Sequence, residues 1–237
     1  MNLLHVRFAA FFLLCLTFLA CGGGGGGGGG TGGGGVSITL TPATGTVGHN
    51  GNFPLAAVVT GSSNLDVTWS ATAGTLNITG VGQATWIAPA ADVTATVTAT
   101  SVADPTKSDS SSVTSQAGLA TVTGRVVRQN TSQGLGNVVI EFRDGSGATV
   151  ATATTNAFGY FGGGTPTTAV RFHVQNTTVP SGYYRQYLYN SLRYATTIST
   201  CSAPLPALAA GTNTALLTVI GIPVASGPPP PPPNGCQ

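Results

Sequence analysis

The sequence predicts an all-β protein: two consecutive antiparallel β-sandwiches between a flexible glycine-rich N-terminal tether and a proline-rich tail. Three observations lead there. Short runs in which apolar and polar residues alternate recur about every ten residues from Val36 onward, with Gly, Asn or Pro between them, the pattern of strands that bury one face. Charged residues make up only 6% of the chain while Thr, Ser, Val, Ala and Gly abound, and a chain poor in charge and rich in β-branched residues does not resemble a solvated coil. The stretch after Gly35 holds about two hundred residues, room for two ordinary domains.

Residues 1–20 read as an export signal. Arg7 supplies a positive start, Phe8 to Phe18 an apolar run, and Leu19-Ala20 a small-residue approach to a cleavage point. About a dozen apolar residues are too few to span hydrocarbon, which takes roughly 20; an uncleaved N-terminal anchor is the alternative. The stretch Thr17-Phe18-Leu19-Ala20-Cys21 resembles the lipobox of bacterial lipoproteins, although Phe18 stands where leucine is usual. The resemblance implies a lipidated Cys21 as the mature N-terminus, and with it a membrane as partner. Gly22 follows where an aspartate would imply inner-membrane retention, so the implied location is the cell envelope, at the outer membrane. Residues 21–35 then form the linker. Gly22 to Gly35, broken only by Thr31, has no side chains to bury and predicts a coil of roughly 20 Å.

From Val36 the strands can be taken in order. Val36, Ile38 and Leu40 alternate with Ser37, Thr39 and Thr41 until Pro42, and further runs follow at Phe53 to Thr60, Leu65 to Ser70, Thr75 to Ile78, Gln83 to Ile87, Val93 to Ser101 and Ser108 to Thr114. Seven such strands indicate a sandwich over residues 36–117. Within it Val47-Gly48, Val67-Thr68-Trp69-Ser70-Ala71, Trp86-Ile87-Ala88-Pro89, Val97 to Ser101 and Asp104-Pro105-Thr106-Lys107 resemble a bacterial Ig-like domain of surface proteins. The resemblance implies that Trp69 is the core tryptophan, that Trp86 covers an edge or rim, and that Asp104-Pro105 makes a turn. Asp104 and Asp109 read as turn and surface residues, since no run of oxygen ligands surrounds them as calcium requires.

The second unit, residues 118–222, opens with a strand carrying Val122, Gly124, Val126 and Val127, turns at Gly134-Leu135-Gly136-Asn137, and continues through Val138 to Phe142. Asp144-Gly145-Ser146-Gly147 signals a hairpin before Thr149 to Thr155, and Asn156 to Phe161 a tight turn into a short strand. This order resembles the carboxypeptidase regulatory-like, or transthyretin-like, sandwich. In that family the fold serves as an accessory or binding module, and the name implies no peptidase activity. In the tail, residues 223–237, Pro228 to Pro233 predict a polyproline II spacer. Cys201 and Cys236 are the only cysteines after Cys21, so in an oxidising compartment an intramolecular disulfide is forced to join them and folds the tail back.

Charge is unevenly spread. Residues 36–117 hold Asp66, Asp92, Asp104 and Asp109 against Lys107, a net −3. Residues 118–222 hold Arg125, Arg128, Arg143, Arg171, Arg185 and Arg193 against Glu141 and Asp144, a net +4. Chance and mutual attraction of the halves both fit. No basic stripe is dense enough for nucleic acid.

Catalysis needs converging ionisable groups, and beyond the signal the histidines are His49 and His173, one in each unit. No nucleophile elbow, His-Glu-x-x-His, Cys-x-x-Cys or phosphate-cradling loop occurs; Glu141 is the sole glutamate, short of the carboxylate pair a glycosidase uses. The expectation is no enzyme and no cofactor. The candidate ligand surface is Tyr183, Tyr184, Arg185, Tyr187, Tyr189, Arg193 and Tyr194, five of the six tyrosines within twelve residues. Tyrosine and arginine are favoured at recognition surfaces, which fits a glycan or an envelope protein as partner, yet the partial alternation of Tyr183, Tyr187 and Tyr189 is that of strand residues packed in a core, the reading preferred. The function expected is adhesion, scaffolding or weak glycan or protein binding; a purely structural spacer, or an accessory subunit of an envelope enzyme or polysaccharide system, are the alternatives.

Overall fold

The computed structural model describes residues 35–216, 218–226 and 230–236; the signal, Cys21 and the tether up to Gly34 lie outside them. The protein is all-β, with one short 3-10 turn among the described residues, at Asn176–Thr178. In the N-terminal half β1 (Ser37–Thr41), β3 (Asn52–Thr60), β6 (Gln83–Ile87) and β5 (Thr75–Gly80) form one sheet in the order β1-β3-β6-β5. Facing it, β2 (Thr44–Gly48), β8 (Ser108–Gln116), β7 (Val93–Ser101) and β4 (Val67–Ala71) form the order β2-β8-β7-β4. Alternation works as expected: on β3 Phe53 and Leu55 turn inward while Asn52 and Pro54 turn outward, and on β6 Ala84 and Trp86 turn inward while Gln83 and Thr85 turn outward. The inward set closes a core with Leu40, Val47, Val97 and Val113.

Two details correct the expectation. The half has eight strands rather than seven, because β2 was not readable: two of its five residues are glycines. Gly45 is required, since a Cβ there would sit 2.1 Å from the Phe53 ring. The tryptophans also exchange roles. Trp86 is wholly buried on β6, a strand flanked on both sides, and its indole N–H donates to the Ala73 carbonyl at 2.7 Å. Trp69 lies on the edge strand β4, half-buried, with its own indole nitrogen unpartnered. Trp86→Phe should therefore cost about 1–3 kcal/mol by removing the bond to a half-buried carbonyl and leaving a void, and Trp69→Phe less than about 1 kcal/mol. Urea titration of both variants checks the order; equal losses would sink it.

The C-terminal half has β9 (Leu119–Arg128), β10 (Val139–Asp144), β11 (Thr149–Thr154), β12 (Tyr160–Pro166), β13 (Ala169–Val174), β14 (Gln186–Tyr189), β15 (Leu192–Ala195), β16 (Ala203–Pro204), β17 (Asn213–Ala215) and β18 (Ile220–Ile222). One sheet runs β11-β10-β13-β16 and the other β12-β9-β18-β14-β15, with β17 also beside β9. Its core includes Val122, Val126, Ile140, Phe142, Phe161, Phe172, Ile220 and Ile222. The β10–β11 turn has its mechanism on view: the Asp144 carboxylate accepts from Ser146 N–H and O–H and from Ala148 N–H, which holds its pKa below the usual range, the Ser146 hydroxyl first among the causes. Asp104 does the same with the Thr106 hydroxyl and N–H in the turn before β8. Asp109 accepts Leu40 N–H at 2.7 Å, tying β8 to β1.

The described residues belong to one compact unit. Between β8 and β9 lie only Ala117 and Gly118, and hydrogen bonds cross the junction between strand ends and the loops beside them. Gly48 N–H donates to the Thr121 hydroxyl at 2.9 Å, and Ala157 N–H to the Thr41 hydroxyl at 2.9 Å. Asn213 clamps the other side, its amide oxygen accepting Asn52 N–H and its amide nitrogen donating to Asn50 O, both at 2.8 Å. The close approach is made by glycines in β12. A Cβ on Gly162 would stand 2.4 Å from Asn52 O and 2.8 Å from the Pro54 ring, and one on Gly164 3.1 Å from Thr46 O. Strand interiors normally disfavour glycine; here the missing side chains let two backbones meet.

Candidate functional site

The tyrosine and arginine cluster divides between core and surface. β14 and β15 form a hairpin that turns at Asn190 and Ser191, both at positive φ, and sets Tyr187 opposite Tyr194 and Leu188 opposite Arg193. Tyr187, Tyr189 and Tyr194 share the inward face. The rings of Tyr187 and Tyr194 stack with centroids 5.1 Å apart, and Tyr189 meets Phe172 edge-on at 4.9 Å. The Tyr187 hydroxyl donates to Phe172 O and accepts from Ala203 N–H. Burial raises the pKa of all three phenols. Tyr187, Tyr189 and Tyr194 are thus core residues, and their assignment to a ligand surface is corrected: period two placed them on one face, and that face is the dry one.

Of the remainder, Tyr183, Tyr184 and Arg193 are half-buried and Arg185 is exposed. Arg185 is spent on structure, donating to the carbonyls of Asn176 and Val179 at 2.9 and 2.6 Å. Around Tyr184 and Arg193 the chain's own C-terminal segment gathers. Tyr184 N–H donates to Pro223 O, Ala225 N–H to Gly182 O, and Pro230 and Pro231 line a cleft of about 520 Å³ with Tyr184, Arg193 and Arg128. Farther on, the N–H groups of Asn234 and Gly235 both donate to Arg193 O while the Asn234 side chain accepts Arg193 N–H at 2.8 Å. Gly235 lies so close to the Tyr194 ring that a Cβ would be 2.6 Å away. The disulfide Cys201–Cys236 completes the latch. Residues 234–236 therefore cover the edge of β15 instead of extending as a free strut.

Beside this latch lies a buried polar group. His173 on β13 is 3% exposed, with Nδ1 2.8 Å from Cys201 O and Nε2 3.2 Å from Thr196 O. Opposite it on β10, Glu141 binds Arg143 and receives the Gln175 amide. Loss of hydration depresses the His173 pKa, and Arg143 adds to this; the two carbonyls and Glu141 pull the other way and are outweighed. Arg143 Nε has no partner among the described residues, and a neutral His173 can donate to only one of its two carbonyls; the bonds that are made tie strands to the loop over Cys201. Because native His173 resists a proton that the unfolded chain accepts, its contribution is whole above about pH 6.5 and falls as pH drops below it. Unfolding free energy of the wild type should decline between pH 7 and 5, and His173→Gln should flatten that decline. Equal slopes by urea titration would refute the assignment. The other histidine, His49, pairs with the exposed Asp92, which also accepts Ala117 N–H; that backbone bond leads the causes that lower the Asp92 pKa.

The residue that sequence reasoning missed is the sixth tyrosine. Tyr160 opens β12 directly opposite Arg125 on β9 and is 37% exposed. The Arg125 guanidinium lies 4.5 Å from the ring centroid, pinned by the carbonyls of Phe158 and Ser132. Its signal in the sequence was only that of a residue leaving a tight turn.

No protein-family model matches the chain, and no curated protein matches it. Among solved structures it is similar to the T6 backbone pilin of serotype M6 Streptococcus pyogenes, at 12% identity over 80% of this chain and 70% of that one, with a TM-score of 0.30. It is also similar to the Bacillus anthracis TIE protein (11%, 80% and 40%, TM-score 0.30) and to a streptococcal ancillary pilin (11%, 81% and 63%, TM-score 0.30). The chain spans less than two thirds of the length of the latter two. Overlays this loose carry no argument about topology or activity.

Proposed function

We propose that the protein is a non-enzymatic, lipid-anchored component of a bacterial cell envelope, a stiff two-sandwich stalk that holds its C-terminal half away from the membrane for adhesion or scaffolding. The observation that carries this reading is the junction. The hydrogen bonds of Thr121, Asn213 and Thr41 and the glycines of β12 join the halves without a flexible linker. A stalk needs that stiffness, whereas a tethered pair of independent modules does not. The ionisable groups support the non-enzymatic part: Glu141 and Arg143 are paired with each other, and His173 faces two backbone carbonyls. The anchoring part rests on the Leu19-Ala20-Cys21 sequence, since two or more acyl chains hold a protein on a bilayer far more firmly than one. The resemblances to Ig-like and transthyretin-like modules agree with a presenting role.

Metabolic labelling with a tagged fatty acid in a bacterium expressing the full chain tests it. The wild type should take the label and partition into detergent, and Cys21→Ser should do neither. An unlabelled wild type recovered in the aqueous phase would remove the anchor.

A further inference from the structure

The junction that stiffens the molecule also leaves a groove, and we propose that this groove is a glycan-binding site for a segment of two or three hexose units. It has two connected parts. The larger, about 450 Å³, is lined by Asn52, Pro54, Thr85, Arg125, Tyr160 and Leu216 among others. The smaller, about 250 Å³, adds Gln83, Thr79 and Asn156. Pro54, Thr85 and Tyr160 border both, so the tyrosine stands where the parts meet.

Three features select the ligand class. First, the outward residues of β3 and β6 that line the groove, Asn52, Pro54, Gln83 and Thr85, are amides, a hydroxyl and a proline; Asn, Gln and Thr both donate and accept, as sugar hydroxyls do. Second, Tyr160 is 37% exposed, and the Arg125 guanidinium over one face of its ring holds it in place while the rest of the ring surface borders the groove. Flat apolar faces of sugar rings stack on such surfaces, and a ring that is already held in place gives up little entropy on binding. Third, among the described residues no carboxylate lines either part and Arg125 is the single cation, so the site suits neutral or acidic saccharides and disfavours basic ones. The volume lies within the range of small-ligand pockets. An extended peptide is the less suitable occupant. Peptides commonly bind by pairing with a free strand edge; β6 and β9, which carry Gln83, Thr85 and Arg125, are hydrogen-bonded on both sides, whereas β12, which carries Tyr160 at the edge of its sheet, offers one, so peptides are the competing ligand in the test below.

Gly124 belongs to the construction of the site. A Cβ there would stand 2.6 Å from the Phe161 ring and 3.3 Å from Leu216, so only glycine lets those two apolar groups meet in the wall of the groove.

The inference extends the presenting role proposed above and is independent of the anchor, which fatty-acid labelling reads separately. The test uses the full chain purified in detergent against immobilised neutral and uronic-acid-containing di- and trisaccharides, with acidic and neutral peptides on the same surface. Wild type should bind a subset of the saccharides, and Tyr160→Ala should weaken that binding about tenfold, as expected for loss of a stacking platform. Tyr160→Phe should stay within about threefold. Thr85→Phe, which keeps a good strand former and fills the groove, should abolish binding, and it decides the matter if Tyr160→Ala does not fold. Tyr184→Ala, on the tail-covered cleft, should behave as wild type. The proposal is overturned by saccharide binding that survives Thr85→Phe, by binding of peptides alone, or by no binding to any saccharide.

Discussion

Gly162→Val is expected to spring the junction apart. Valine is a far better strand residue than glycine, so propensity alone predicts stabilisation; the structure predicts the reverse. The first atom added would already lie 2.4 Å from Asn52 O, a backbone atom that yields only if the halves separate. Separation breaks the Asn213 clamp on Asn50 and Asn52, so the loss is steric first and polar second, about 3 kcal/mol or more when overpacking and orphaned hydrogen bonds add. Both cores should survive. Small-angle scattering should show a larger radius of gyration and a flexible pair, with circular dichroism unchanged. An unaltered scattering curve would refute the account of why β12 carries glycines.

Removing the disulfide has a comparable cost by a different route. Cys201 and Cys236 are 35 residues apart, and a loop of that size contributes about 3 to 4 kcal/mol through the unfolded state in the chain-entropy account. Cys201→Ala with Cys236→Ala should lower the melting temperature of the C-terminal half by roughly 10 °C. Residues 234–236 should then detach and uncover the Tyr194 ring and the edge of β15, where only Arg193 and its neighbours offer free strand groups. Unpaired edges of this kind template association, so the reduced protein should also show concentration-dependent self-association by analytical ultracentrifugation. A double variant as stable and monomeric as the wild type would mean that the latch holds nothing.

Much of this architecture was written in period two. β6, β7 and β8 alternate cleanly because one face of each is dry, and Asp144-Gly145 and Asp104-Pro105 mark turns by local chemistry that needs no tertiary context. The failures share a cause. β2 hides because Gly45 is dictated by the Phe53 ring, a neighbour remote in sequence, and the roles of Trp69 and Trp86 depend on which strand lies at an edge, which one strand cannot state. The tyrosine cluster was visible as composition, but whether Tyr187 faces solvent is decided by Phe172 and Ala203 on other strands. Tyr160 was overlooked for the same reason: its exposure comes from a cleft between halves.

The pairing of β2 with β8 has a mechanical meaning. Among the pairings of the N-terminal half it is the parallel one, Thr44 to Gly48 lying against Ser112 to Gln116 in register, and the chain enters near one end of this ribbon and leaves at the other. A pull between the tether and the C-terminal half would drag the two strands past each other along their length, loading every bond of the ribbon at once instead of peeling them singly. The first half is thus built as a shear clamp against a pull on the two ends of its own chain.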